Sequence, residues 1–472
     1  MADTFKAEIA AGQSNGHSSE HLESLSQKLA VRLARQPSAA DRERARLHVL
    51  DWAACAIAGA VEPGAAEPRA LARLEGAGPC RVIGGARSGP LAAALANGPA
   101  GALLEMDDVD RRGLLHPGPV VVPAALAAAE VCGQDDGDTL LDAVVRGYEA
   151  MIRVGRAVGP HHAARFHVTA SCGGFGATAA GASVLGLDET QTAWALGNAG
   201  QQAFGLWQVR HEPVFTKALH DGRAAANGLS AAFLARDGYA GPLAIFEGPQ
   251  GFFHGLCPDG DPQAVVEGGD AWVIHEVSFK PHAACRHAHA AIDAVLALRA
   301  QAMTQTGGAA LEALEIETYR DAIVFCDRPH PTTPMEGKFS LQHAAAAAWR
   351  HGDARLERFT VEALREAETE TLRARVSVRE GTALTSRYPA HFGAVARVRL
   401  ADGRVIDASA ADALGDSENP MDRAAIIAKA RALTAWGGLD GAAAERLIET
   451  VLNLGQGAGA SDLSAALPGT DA

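Results

Sequence analysis

Residues 165–181 read RFHVTASCGGFGATAAG, and the meaning of their glycines decides the fold. Gly173, Gly174 and Gly176 resemble part of a dinucleotide-binding fingerprint, which would make this an α/β chain. That fingerprint needs a buried strand before it and an acidic residue at a set distance after it, and the sequence offers neither. The other reading is a helix whose small residues let a neighbouring helix come close. The flanks favour it: Gly186 follows the alanine-rich run and Gly200 ends LDETQTAWALGNAG, both placed as helix stops.

The same texture extends outward. LESLSQKLAVRLARQ, RERARLHVLDWAACAIAGA, PLAAALANGPAGALLEM, VVVPAALAAAEVCG and TLLDAVVRGYEAMIRVGRAVG repeat apolar residues every three or four positions. Pro123 predicts a helix beginning around it, with proline in the first turn. Near residue 272 the pattern changes. AWVIHEVSF, LEALEIETY and RVSVRE read as strands, AAIDAVLALRAQAM as a helix, and AVARVRLADGRVIDASA as a hairpin turning at Asp402-Gly403. Helical periodicity returns after about 418. The expected fold class is therefore mainly α. A large all-helical domain is formed by both chain ends, 21–271 and 415–455, and a smaller α+β lid domain is inserted at 272–414. Residues 1–20 and 456–472, rich in small and polar residues, are expected to be disordered.

Composition bounds the function. Of 472 residues 48% are hydrophobic and 21% charged, enough apolar material for a substantial core. The net charge of −14, with no basic block interleaved with aromatics, argues against a nucleic-acid partner. Seven cysteines without a CxxC pair fit reduced thiols in a cytoplasm. The polar N-terminus lacks a signal-peptide core and no run is apolar enough for a membrane span, so a cytoplasmic protein with no membrane partner is expected.

Five segments concentrate polar side chains. They are LLEMDDVDRRGLLHPG at 103–118, the 165–181 stretch with His167, and TKALHDGRAAANG at 216–228 with Lys217, His220 and Arg223. The others are FKPHAACRHAH at 279–289 and FCDRPHPTTPMEGKFS at 325–340. A single histidine near a helix start is more often structural than catalytic, so no segment decides by itself. Metal sites fit poorly. His282, Cys285, His287 and His289 do not follow a standard zinc spacing and have Lys280 and Arg286 among them, while Asp107, Asp108 and Asp110 lack the EF-hand pattern. No metal is expected. There is no GxSxG elbow, and neither Cys172 nor Cys285 has an assigned base. Several histidines, two lysines and several arginines remain, a set suited to binding a small polycarboxylate and moving a proton beside one of its carboxylates.

These segments resemble the MmgE/PrpD superfamily, which includes 2-methylcitrate dehydratases, cis-aconitate decarboxylases and an iminodisuccinate epimerase. The resemblance covers about 22–455. It rests on the ordered runs DD…HPGPVVVPAALAAAE, FHVTASCGGFGATAAGASVLGLDETQTAWALGNAGQQAFG, KALHDGRAAANG, FKPHAACRHAHAAID and TTPMEGKFSL. It implies a homodimer and cofactor-independent lyase or isomerase chemistry in a cleft. On it, His116 and His167 fall on active-site histidines, Lys217 on a cleft lysine and Lys280 on a lysine of the lid. It also marks departures: EMDDV puts Glu105 at the first aspartate and Val109 at a hydroxyl position of a DFDDT-like run. Phe325 stands where a tyrosine is usual, and Cys285 where a decarboxylase has a histidine.

The expectation is a hydro-lyase resembling a 2-methylcitrate dehydratase, acting on a small di- or tricarboxylate. His116 and His167 would share base and acid roles, and Asp107 or Asp108 would orient His116. Lys217, His220, Lys280 and Arg286, with Glu105 and Phe325 beside them, would form the substrate-binding set. The alternatives are an epimerase or isomerase, a decarboxylase, or a non-catalytic binding or scaffold protein.

Overall fold

Side-chain caps set the helix starts. Ser24 with Gln27 and Ser38 with Asp41 form capping boxes ahead of α1 (Leu25–Leu33) and α2 (Ala39–Gly59). The computed structural model describes residues 23–212, 214–306 and 311–470, so the expectation for residues 1–20 lies outside the described residues. The main helices that follow are α3 (Pro90–Ala102), α4 (Gly118–Cys132), α5 (Gly137–Ala157), α6 (Val168–Leu185), α7 (Glu189–Gly200) and α8 (Thr216–Arg236). Asp136 and Asp188 cap α5 and α7.

The stretch 165–181 is helical, and α6 packs against α4, α5, α7 and α8. A Cβ on Gly173 would lie 2.9 Å from Ala224 Cβ, and one on Gly176 2.7 Å from Met151 Cβ. These glycines set helix separation, and their N–H groups sit inside a helix rather than in a phosphate cradle. Contrary to the expectation that no run is apolar enough, α6 is long and apolar enough to cross a membrane, yet 83% of that span is buried inside the protein, as in a core helix.

The second part of the chain adds α9 (Arg286–Thr306), β1 (Leu311–Thr318), α10 (Arg320–Cys326), α11 (Leu341–His351), β2 (Val376–Glu380), β3 (Ala394–Leu400) and β4 (Val405–Ala410). The sheet order is β2-β1-β3-β4, with β1–β2 parallel and the other pairs antiparallel. Leu314 faces Val398, which faces Ile406. α9 packs on β3 and β4, covering alternate buried residues such as Ala396 and Val398. The hairpin turns at Asp402-Gly403, where Gly403 takes φ +85°.

Three further expectations are corrected. AWVIHEVSF contains a 3₁₀ turn, Val273–Glu276, because Val273, Ile274 and Val277 are all buried and a strand cannot turn consecutive residues to one side. The helix holding Pro123 starts a turn earlier, at Gly118, where Pro119 takes the first-turn position and Asp108 accepts the Gly118 N–H. The described part of the tail, 456–470, is ordered. α12 (Arg423–Trp436) and α13 (Gly441–Leu452) are followed by α14 (Ala460–Ala466), whose Leu463 is buried, as is Leu467 just beyond it. Arg81 Nε donates to Ser464 O at 3.1 Å, and Thr470 N donates to Gly85 O at 2.9 Å. Helices from both ends of the chain meet, since α12 and α13 pack on α2 and buried Lys429 pairs with Asp51 at 2.6 Å.

Candidate active site

The loop after α3 begins with a backbone reversal. Glu105 adopts φ +56°, uncommon for a non-glycine residue, and is 3% exposed. This conformation turns both its carbonyl and its carboxylate toward lysines. Lys217, from the first turn of α8, pairs with the carboxylate. Lys280 Nζ donates to Glu105 O at 2.8 Å and lies 3.5 Å from its Oε2 and 3.6 Å from Asp107 Oδ1. Burial alone would raise the Glu105 carboxyl, but the two ammonium groups outweigh it and hold it at about 2. Burial also opposes ionisation of Asp107, and His116 and Lys280 reverse that and hold it low.

The loop then pins itself in place. Val109 exchanges two backbone hydrogen bonds with Ser278, and Asp110 does the same with Leu115. Asp110 also accepts from Gly113 N at 2.7 Å and pairs with Arg156 at 2.5 Å. DRRGLL is thereby closed into a compact turn that delivers His116. Its Nδ1 is 2.7 Å from Asp107 Oδ2 and 3.0 Å from Asp108 O, so Nδ1 carries the proton and Nε2 is left as the basic nitrogen.

Asp108 serves another purpose. Its carboxyl accepts from Gly118 N and Tyr148 Oη and meets His48 Nδ1 at 2.6 Å, all away from the chamber lining. Burial pushes it up to about 6. The structure separates two neighbours that the sequence groups together: Asp107 holds His116 by its side chain, Asp108 only by its carbonyl.

A chamber of about 90 Å³ lies where these elements meet, lined by Glu105, His116, His167, Lys217, Arg286 and Phe325 among others. His167, at the N-terminus of α6, is 3.2 Å from His220 through their Nδ1 atoms, and its ring centroid is 6.5 Å from that of His116. Burial, with Lys217 and His220 nearby, pushes His167 well below the usual imidazole range, and burial beside Lys217 lowers His220 to about 4. Both are neutral at physiological pH. The chamber shares Trp207, Lys217, Phe325 and Phe339 with an adjoining cavity of about 380 Å³.

Ten residues were expected at the site. Glu105, His116, His167, Lys217, Arg286 and Phe325 face the chamber, whereas Asp107, Lys280 and His220 stand behind them as partners. Arg286 reaches the chamber with its charge already committed. Its guanidinium pairs with buried Asp416 at 2.5 Å and donates to Leu414 O at 3.0 Å. Sequence reading missed Arg111, Trp207 and, as a chamber residue, His287. The sequence pattern suggests His287 only as a metal donor. Its neighbours are otherwise engaged, His282 with Asp293 at 2.8 Å and His289 with Ala284 O at 3.0 Å. Among the described residues no group of three His, Cys, Asp or Glu side chains is arranged to hold a metal.

A small-residue helical bundle joined to a four-stranded sheet, with a histidine–carboxylate pair facing lysines, has a counterpart among known families. The MmgE/PrpD N-terminal domain matches residues 23–265 and the MmgE/PrpD C-terminal domain matches 282–456; the chain belongs to the MmgE/PrpD family. It is 35% identical over 271 residues to cis-aconitate decarboxylase-like protein oryM of Aspergillus oryzae, covering 54% of this chain and 56% of that protein. It is 33% identical over 276 residues to cis-aconitate decarboxylase of Aspergillus terreus, covering 54% and 55%. The human cis-aconitate decarboxylase is 27% identical over 271 residues, covering 55% of each chain. The matched region thus spans about half the length of these relatives.

Proposed function

We propose that the chain is a lyase that removes a proton next to a carboxylate of a small di- or tricarboxylate and expels water. The observation that carries this reading is the His116–Asp107 pair at 2.7 Å, with its basic nitrogen beside the chamber that Lys217 also reaches. Lys217, once a substrate carboxylate displaces Glu105 from it, and Lys280 behind Glu105 stabilise the charge that builds up as the C–H bond breaks. His116 Nε2 takes the proton while Asp107 stabilises the resulting imidazolium. His167, kept neutral, meets the departing hydroxyl.

A second reading, decarboxylation, is favoured by the names of the relatives. The side chains favour dehydration, because Val109 and Phe325 carry no hydroxyl to deliver a proton to a carbanion after carbon dioxide leaves. Proton NMR in deuterium oxide with citrate, 2-methylcitrate and cis-aconitate separates them. Loss of water from citrate or 2-methylcitrate, removing one proton from the carbon next to a carboxylate to leave an alkene, is expected. Carbon dioxide release identifies a decarboxylase, and label gained without either loss identifies an epimerase. A panel in which no carboxylate is bound or turned over overturns the enzyme reading.

A further inference from the structure

The chamber has a third imidazole that the chemistry above leaves unused. His287 stands in the first turn of α9, on the wall that also carries Phe325 and Phe392. Its ring stacks on both, at centroid distances of 4.6 and 5.2 Å and interplanar angles of 19° and 11°. These contacts fix the plane of the ring, and one further contact fixes its proton. Nδ1 is 2.7 Å from the hydroxyl of Tyr319, a phenol that is 0% exposed. That hydroxyl has no other hydrogen-bond partner among the described residues, so its proton goes to Nδ1, because a buried O–H without an acceptor is strongly disfavoured.

With Nδ1 accepting, the neutral ring carries its own proton on Nε2. Nε2 has no hydrogen-bond partner among the described residues and is not sealed inside protein, and His287 lines the chamber. Burial, reinforced by Arg210 and Arg286, lowers this imidazole to about 3, so it stays a neutral donor at physiological pH.

We propose that His287 is a further catalytic residue, whose Nε2–H donates a hydrogen bond to the oxyanion that forms on the substrate carboxylate when the neighbouring carbon loses its proton. This rests on the acid–base reading of the site. His116 Nε2 takes the proton, and the C–H electron pair moves into the adjacent carboxylate to give an enediolate. The pair then returns to form the double bond as the C–O bond breaks, and the departing hydroxide takes the proton that His116 received, leaving as water with His116 neutral again. His287 keeps its proton throughout and stabilises only the charge-separated species. A group of this kind accelerates the step because its bond strengthens as the negative charge grows.

Two measurements on the full chain test this. In long-range proton–nitrogen correlation spectra of protein labelled with ¹⁵N-histidine, His287 is expected as the neutral Nε2–H tautomer from pH 6 to 9, its signals identified by their loss in His287→Phe. An Nδ1–H tautomer or an imidazolium overturns the proposal. The second compares succinate with the ionised nitronate of 3-nitropropionate, which copies the enediolate. His287→Phe should weaken nitronate binding by about tenfold or more while changing succinate binding by less than about twofold, and His287→Gln, which keeps an N–H, should recover most of the loss. Equal weakening of both probes, or of neither, overturns the donor role. If neither probe binds the wild-type chain, the carboxylate reading of the site fails, and the tautomer spectrum alone then decides whether His287 presents its N–H.

Discussion

Asp107 and Asp108 are adjacent and chemically identical, yet the backbone gives them different work. Asp107 holds the Nδ1–H of His116, and Asp108 ties α4, His48 and Tyr148 together. Asp107→Asn keeps the shape of the pair and loses the charge that steadies the imidazolium. It should lower kcat by about 10²-fold or more with KM little changed, as read in steady-state kinetics on whichever carboxylate the wild type turns over. Sequence alone named both aspartates because spacing reports proximity and not direction. The sorting came from Glu105, whose positive φ redirects the chain ahead of them, and no pattern in EMDDV announces that turn. His287 escaped notice for a similar reason: its partner Tyr319 is 32 residues away, a contact that only the fold creates.

At the level of elements, the reading of small-residue helices was the most secure part of the sequence. Alternating glycine and alanine on α3, α6 and α8 has little use except close approach, and the structure shows that approach directly. A Cβ on Gly222 would sit 2.2 Å from Leu95 O, so α3 and α8 touch backbone to backbone. Gly222→Ala should therefore cost about 1–3 kcal/mol, seen as a lower denaturant midpoint, and should also weaken carboxylate binding because α8 carries Lys217. The strands were legible wherever burial alternates, as in β1 and β3. AWVIHEVSF was not, since its apolar residues face one side consecutively, and β-branched composition resembles a strand regardless of which way the side chains point.

Over the whole molecule, composition misled at one end. The tail looks like linker, but Leu463 and Leu467, four residues apart, are both buried against the bundle. A chain ending at residue 455 should lose about 3 kcal/mol or more from those two side chains, measurable as a drop in Tm. The buried histidines set a second global property. His220 and His343 are lowered to about 4 and His287 to about 3, in each case chiefly by burial, and His48, His167 and His289 lie well below the usual range. Free imidazoles charge near about 6.5, so below that pH the unfolded chain binds protons that the folded chain refuses. Stability is fully present above about 6.5 and should fall steadily as the pH drops toward about 4. Calorimetric Tm values at pH 8, 6.5 and 5 check this; a flat profile would contradict the burial of these rings.

Glu105 has a further consequence for ligand entry. Its carboxylate is attached to the chain and already sits on Lys217, with Lys280 close by. A tethered group of this kind acts as a competitor at high effective concentration, always present and never diluted. An incoming carboxylate therefore does not meet two bare cations; it exchanges with an anion already in place, and the pocket's net charge hardly invites it. Inorganic anions gain little from such an exchange. A ligand succeeds by fitting the chamber better than the resident side chain does, so selection falls on shape rather than charge.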